Sequence, residues 1–593
     1  MFKNKTNIIA MVIIGVAVVL AITSFWQDSL VVDEIPHIGA GYSYLVKQDM
    51  RLNPEHPPLA KDLGTLPLLF LNLNQEVFQT QFWQKDLNGQ WNFGRKLIFN
   101  SGNNAELITH LVKLPMLLFF ILSAVLIFRW AKKLYGNRAG LIALALFSFS
   151  PTVLAHSRFV TTDLPALFGV LYATYFFLRY LKNQTAKNFW LASIILGVAL
   201  LTKFSTFILI PFFFGLALIY AFVSQKNYLK LPIYSTLLAI AAFIIVVMPV
   251  YTFHTWNYPP ERQHSDTKQF LETYGNRLFA DPIVWASDKP VLRIAGEYGL
   301  GLLMVTQRSI GGNTTYFLGE VSRFGWRNYF PIVYFIKEPL AWWGLALIAS
   351  ITISKSAIHS LENSRARSRG SRGSRMADLR FWFTNHFAEF AMLSWLAFYW
   401  SLSIHSTLNI GVRHLLPTYP FAILLVSGQI AKINYKKFKT YGFLIIALLG
   451  WYVLENLSVY PHYLTYFNQI VGGSSGGYRY VVDSNLDWGQ DLKRFSQWVE
   501  KGGLPKIEFD YFGWADPYYY MKDRYIALTS TKYKDAQDFI QNNQSDGWLA
   551  VSVSFLQGSQ GSPDQYKPVN YLWLQGYTPL TTIGNSIFVY RIK

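Results

Sequence analysis

Asp33 and Glu34 stand side by side, three residues before His37. A second polar cluster, Arg51-Leu52-Asn53-Pro54-Glu55-His56-Pro57-Pro58-Leu59-Ala60-Lys61, follows within about twenty residues. A carboxylate held close to a hydroxyl can take its proton. Lys61, Lys203, Lys337 and Arg413 supply the cations that hold phosphate oxygens, Arg413 with two parallel N–H groups. Together these residue types suit a phosphate-headed, lipid-tailed substrate and a base acting on an acceptor hydroxyl. Glu55, His56 and His37 are an alternative ligand set for a divalent metal. A lone Asp-Glu pair after an apolar run also suits a solvated loop, so the surrounding chain decides between these readings.

The elements that must position them come from composition. Of 593 residues, 52% are hydrophobic, 17% aromatic and only 15% charged, against roughly 25% charged in soluble domains. The apolar residues are clumped into long runs, which makes this an α-helical polytopic membrane protein. The net charge of +19 lies largely in short segments between the runs, where the positive-inside bias places it, and does not point to nucleic acid. The absence of Cys excludes disulfides, Cys-ligated zinc and thiol nucleophiles. Lys3 and Lys5 precede an apolar run with no small-residue cleavage site, which reads as a retained first helix.

Eleven spans are expected, near 8–26, 108–130, 138–156, 164–181, two within 189–223, then 231–253, 331–354, 387–404, 414–431 and 441–459. The run 189–223 is broken by Thr202-Lys203. Reading it as two spans puts Lys226, Lys230 and the Arg/Ser-rich tract (Arg365, Arg367, Arg369, Arg372, Arg375 and Arg380) on the Lys132 side, as the bias requires. The N-terminus is then inside and the C-terminus outside, with Lys203 at an outer turn. Long outer segments are expected at 27–106 and 254–330. The tail, 460–593, reads as a small α/β domain with strands at 480–482, 507–511, 548–554 and 586–592 and a helix at 492–499. The glycines of 472–477 read as a flexible joint, and the acids between Asp483 and Asp491 as helix caps.

This topology brings Asp33, Glu34, His37, Glu55, His56, Lys61, Arg158, Asp163, Lys203, Lys337, Arg413 and His414 to the outer face or within about a turn of it. Plainer readings stand beside this one. Asp163 before Leu164-Pro165 suits a helix cap, Arg413 suits a snorkelling side chain, and Lys203 suits a simple break in an apolar run.

Several motifs share one resemblance: Asp33-Glu-Ile-Pro-His37, Asn53-Pro-Glu-His-Pro-Pro-Leu59, Arg158-Phe-Val-Thr-Thr-Asp163, Leu201-Thr-Lys-Phe204, Tyr316-Phe-Leu-Gly-Glu320 and Asn409-Ile-Gly-Val-Arg-His-Leu-Leu-Pro417. They resemble the protein O-mannosyltransferase-like glycosyltransferases of the GT-C fold class (bacterial glycosyltransferase family 39-like), grouped with the aminoarabinose transferases. The tail motif Asp483-Ser-Asn-Leu-Asp-Trp-Gly-Gln-Asp-Leu492 resembles the bacterial branch. The resemblance implies a GT-C catalytic domain over 1–459 and an extracytoplasmic domain over 460–593. It implies an enzyme of the bacterial cytoplasmic membrane that moves a sugar, with inversion, from a polyprenyl-phosphate donor to a protein, lipid or glycan acceptor outside. Asp33 then becomes the general base, Glu34 its neighbour that orients the acceptor or raises the base's pKa, and Asp163 the second acid. Lys61, Lys203 and Arg413 fall on the phosphate side, and His37, Glu55, His56, Arg158, Lys337 and His414 complete the substrate-side set. Two departures stand out: Arg327-Asn328 where aromatics are expected, and the Arg/Ser tract, which reads as an insertion.

Two other functions compete. A transporter or flippase for a lipid-linked sugar needs ionisable groups in mid-span, and Glu389 is the main one here. A non-catalytic assembly subunit working through its tail leaves the outer acids dispensable.

Overall fold

The computed structural model describes residues 5–224, 228–352, 380, 383–433, 439–558 and 571–593. Lys3, Lys226, Lys436, Lys437 and the tract from Arg365 to Arg375 lie outside the described residues.

Among the described residues, eight helices are long and apolar enough to cross a bilayer: Lys5–Phe25, Ala105–Tyr135, Asp163–Lys182, Phe204–Val223, Lys230–His254, Phe387–His405, Val412–Ala431 and Thr440–Ser458. A ninth is a bent pair, Tyr329–Lys337 and Leu340–Thr352, meeting at 107°. The bend falls at Glu338-Pro339, where proline removes a backbone donor and cannot continue a straight helix. Asn137–Ser148 and Ala186–Leu200 are apolar but shorter. Every expected stretch therefore holds a helix, while eight or nine rather than eleven reach spanning length. The third expected span is short because Ser150 opens a new helix, Pro151–His156, by capping Val153 N–H at 3.3 Å.

The run 189–223 divides into two helices at Lys203, which is extended (φ −160°, ψ 140°). Thr202 and Thr206 both donate their hydroxyls to the Ala199 carbonyl, at 2.6 and 2.8 Å, and so satisfy the end of the first helix.

The segment after the first span folds back onto the bundle. Helix Glu34–Lys47 packs so closely on helix Gln90–Phe99 that a Cβ at Gly39 falls 2.8 Å from the Gly94 Cα. Its other face meets helix Leu59–Thr65, where Gly41 leaves room for the Lys61 carbonyl.

Seven short strands are described. β1 (Thr315–Phe317) and β2 (Glu320–Ser322) form a hairpin. In the tail, β3 (Ile507–Asp510), β4 (Tyr525–Ala527), β5 (Trp548–Ser552), β6 (Thr581–Ile583) and β7 (Ile587–Arg591) form one sheet, ordered β4-β3-β5-β7-β6. β3 lies parallel to β4 and β5, and β7 antiparallel to β5 and β6. Helix Leu492–Lys501 covers the sheet through Phe495 against Phe509, 4.5 Å between ring centres. The expected strand at 480–482 is absent. Val481 makes a single bridge to Phe317, which ties the tail to the hairpin. The glycines of 472–477 form successive 3-10 turns rather than a loose joint; Gly477 is buried against the Phe467 ring, leaving no room for a Cβ.

Candidate active site

Asp33 immediately precedes helix Glu34–Lys47. Its side chain is 26% exposed and accepts a hydrogen bond from Arg413 Nη1 at 2.8 Å. The same nitrogen lies 3.3 Å from Asp163 Oδ2, and the other Asp163 oxygen takes Lys203 Nζ at 2.7 Å. Two acids and two bases from four distant segments thus form a continuous row: Asp33, Arg413, Asp163, Lys203. Each is placed by an interruption in regular structure. Asp163 begins helix Asp163–Lys182, Lys203 occupies the break between two helices, and Arg413 lies in the 3-10 turn Val412–Thr418. Asp163 is not the helix cap. Thr162 holds that position, and the Asp163 carboxylate is turned to the cations. Arg413 does not snorkel outward either; it is buried, its guanidinium 4.1 Å from the centre of the Trp488 ring.

A cavity of about 260 Å³ opens beside this row. Its polar wall includes Asp33, His56, Asp163, Lys203, Arg308, Arg413 and His414, and its apolar wall includes Phe204, Ile208, Val305, Leu402 and Leu408. Burial pushes the Asp33 carboxyl up, but Arg413 beside it, helped by His37 and Arg308, outweighs that and holds it below the ordinary carboxylate range. Burial holds the His56 imidazole well below its ordinary value, with His37 and Lys61 adding to the effect. His56 is therefore neutral at pH 7.

Other expected site residues are engaged elsewhere. Glu34, next to Asp33 in sequence, is fully buried and turned away from the cavity. It accepts from Val31 N–H and Val160 N–H at 2.8 and 3.0 Å and faces Lys113 Nζ at 3.2 Å. Burial raises its pKa, with Lys113 opposing. Its work is to hold the Asp33 loop onto the link that leads to Asp163. Lys61 Nζ donates to the Tyr44 hydroxyl, the Asn53 carbonyl and side chain and the His56 carbonyl, all within 3.0 Å. Burial pushes it down to about 7. Lys337 donates to the Leu464 and Asn485 carbonyls, and Arg158 donates to the Ser24 hydroxyl and forms an ion pair with Asp28 at 3.1 Å. These three cations organise backbone and ion pairs rather than lining the cavity.

The metal alternative lacks its geometry. His37 Nδ1 lies 2.8 Å from the Val160 carbonyl, and Glu55 accepts from the Gln90 and Asn88 amides. Among the described residues, no three His, Asp or Glu side chains group as metal ligands. The donor set does not fit a divalent ion.

Two residues escaped the motif reading. Arg308 belongs to helix Leu292–Gly311 of the second outer segment and faces the cavity on the same stretch as Val305 and Ser309. A period of three to four around those residues was its only signal. Trp488 sits in the tail motif and reaches Arg413 from outside the membrane part.

Residues 108–253 match the family model described as dolichyl-phosphate-mannose-protein mannosyltransferase. Among solved structures, similarity is found to ArnT from Cupriavidus metallidurans bound to undecaprenyl phosphate (12% identity, 99% of this chain and 98% of that one covered, TM-score 0.46). It is also found to the oligosaccharyltransferase AglB from Archaeoglobus fulgidus in complex with an inhibitory peptide and a dolichol-phosphate (12%, 93% and 70%, 0.42). A third is the S. cerevisiae protein O-mannosyltransferase Pmt1-Pmt2 complex bound to the sugar donor (19%, 43% and 34%, 0.32). No curated protein matches the chain. The family that the sequence motifs resemble is thus also the one whose model matches, over the stretch that carries Asp163 and Lys203.

Proposed function

We propose that this chain is a membrane glycosyltransferase that takes a sugar from a polyprenyl-phosphate donor and passes it, with inversion, to an acceptor hydroxyl, with Asp33 as general base. The observation that carries this reading is a carboxylate paired to Arg413 at 2.8 Å on the wall of a cavity whose lining is mainly apolar with a charged end. The acceptor hydroxyl gives its proton to Asp33. A bond forms from its oxygen to the anomeric carbon as the bond to the phosphate oxygen breaks, and the electron pair leaves on the phosphate. Lys203 and Arg308 meet the phosphate charge, and Phe204, Ile208, Val305, Leu402 and Leu408 cover the first part of the lipid chain. Arg413, lying between Asp33 and Asp163, orients the base instead of gripping the phosphate.

The description of the matching family supports a lipid-phosphate sugar donor. The positive-inside bias supports a site on the outer side of a bacterial cytoplasmic membrane. Asp163 and Lys182 lie at opposite ends of one 20-residue helix, and Lys132 and Lys133 close the helix Ala105–Tyr135. The acceptor class follows the same reading: a protein, lipid or glycan hydroxyl, reached beside the tail domain. The purified protein, given a polyprenyl-phosphate sugar and acceptor in liposomes, is expected to release polyprenyl phosphate. Asp33→Asn is expected to lower that rate by about 10²–10⁴ while the protein still folds and inserts, at a modest cost in stability from the lost ion pair to Arg413. Unchanged turnover in Asp33→Asn removes Asp33 from the mechanism.

A further inference from the structure

The tail contributes more to this site than a lid or an anchor. Residues 29–32, which lead into Asp33, are laced to residues 488–492. Ser29 N–H donates to the Gln490 carbonyl and Val32 N–H to the Trp488 carbonyl, both at 2.9 Å. The Ser29 hydroxyl donates to the Gly489 carbonyl at 2.8 Å and accepts from Leu492 N–H at 3.1 Å. The turn carrying Arg413 is held by the same segment. Val412 N–H donates to the Asn485 side-chain carbonyl at 2.9 Å, and the Ser484 hydroxyl donates to the Ile410 carbonyl. The link to Asp163 is touched as well, because the Trp488 ring packs edge-on to Phe159, 5.7 Å between centres. Trp488 itself is buried, one face against the Arg413 guanidinium.

We infer that Trp488 is a positioning residue for the transfer reaction, its ring face fixing the Arg413 guanidinium between Asp33 and Asp163. Resting on the transferase reading above, this makes the tail segment a structural part of the reaction centre. An aromatic face suits the task. It attracts the cation without offering an acceptor that competes with the two carboxylates. Arg413 Nε has no hydrogen-bond partner among the described residues, so ring contact and carboxylates together set the orientation of the guanidinium. The charged and titratable groups that face Asp33 are Arg413, His37 on its own helix and Arg308 from the second outer segment. Asp483 from the tail also feels its charge. Arg413 is the strongest of those that favour the ionised form. Loosening Arg413 therefore leaves burial less opposed and moves Asp33 upward.

The test uses the full chain in detergent, with fluorinated tryptophans placed at position 488. Fluorination withdraws charge from the ring face and keeps its shape, so the fold is preserved; Trp488→Leu is the blunt companion. The first readout does not need activity. A diazo reagent esterifies only protonated carboxyls, and mass spectrometry follows its labelling of Asp33 against pH. The midpoint is expected to rise stepwise with fluorine number, by about half a unit to one unit for the fully fluorinated ring. In the transfer assay the acid limb of kcat is expected to shift by the same amount, with KM for the donor within about twofold. A midpoint that stays at the wild-type value through the fluorinated series overturns the inference. Because labelling reads Asp33 directly, a chain that transfers no sugar leaves this result standing and defeats only the transferase reading.

Discussion

Lys203 and Asp163 meet at 2.7 Å, across forty residues that include a complete apolar helix. The break in the run 189–223 therefore faces the same end of the bundle as Asp33. Asp163 shares its charge between Lys203 and Arg413, and Arg413 in turn bridges Asp163 and Asp33.

Removing Lys203 is expected to separate substrate affinity from base strength. Its side chain is 16% exposed and lines the cavity, so Lys203→Met opens the phosphate side while Arg413 still neutralises Asp163. KM for a polyprenyl-phosphate sugar is expected to rise about tenfold, as loss of one charge-assisted hydrogen bond requires. The pH at which turnover falls is expected to stay put. Donor binding and the pH profile of the variant, measured together, check this.

Arg413→Lys tests the bridge. One guanidinium nitrogen, Nη1, meets both carboxylates while the planar group lies against the Trp488 ring, and a lysine's compact ammonium on a flexible stem lacks the flat face that holds that nitrogen in place. Asp33 is depressed in the folded state, so its ion pair stabilises the fold fully above the free carboxylate range and loses that contribution as pH falls through the depressed value. With the bridge weakened, burial dominates and the Asp33 pKa rises. The acid limb of the rate profile is expected to move up by about one unit, with turnover at neutral pH down about tenfold. A pH-rate series on both proteins reads the shift.

Glu34 belongs to the fold. Glu34→Ala leaves Lys113 buried without its anion and is expected to cost about 3–5 kcal/mol. Replacing both, Glu34→Gln with Lys113→Met, keeps an acceptor for the Val31 and Val160 N–H groups and is expected to restore much of that stability. Thermal unfolding in detergent decides it, and the rescued double variant is expected to keep the pH profile of the wild type.

Lys61 gives a pH signature of its own. Its folded value of about 7 lies below that of the free side chain, so the unfolded chain binds more protons between these values. The penalty for burying its charge is complete below pH 7, shrinks as pH rises and disappears above about 10.5. The stability of Lys61→Met relative to wild type is expected to fall steadily from pH 7 to pH 10, because only the wild type is relieved over that range. Paired melting curves across the range measure the difference.

Much of this arrangement is legible in the sequence. Helix positions follow from run length, because bilayer thickness leaves few alternatives. The four residues of the charged row could be assigned to one membrane face once Lys203 was placed at a turn. What stayed hidden depends on direction and on backbone partners. Asp33 and Glu34 are neighbours at a helix start, where successive side chains point about 100° apart, so one meets the cavity and the other the core. Lys61, Lys337 and Arg158 carry the right charge at the right depth but find carbonyls and ion pairs inside the fold. No spacing rule separates such a cation from a ligand donor. β4 and β6, three residues each, are too short for an alternating pattern to register.

The hydrogen bond between Ser29 and Gly489 joins positions 460 residues apart. A chain still being threaded into the bilayer has its Asp33 in place long before the segment that steadies it arrives. On the proposed transferase reading, the nascent protein is expected to be catalytically mute until the last fifth of translation supplies that segment. Premature stops that spare every membrane helix are expected to yield inserted but silent protein.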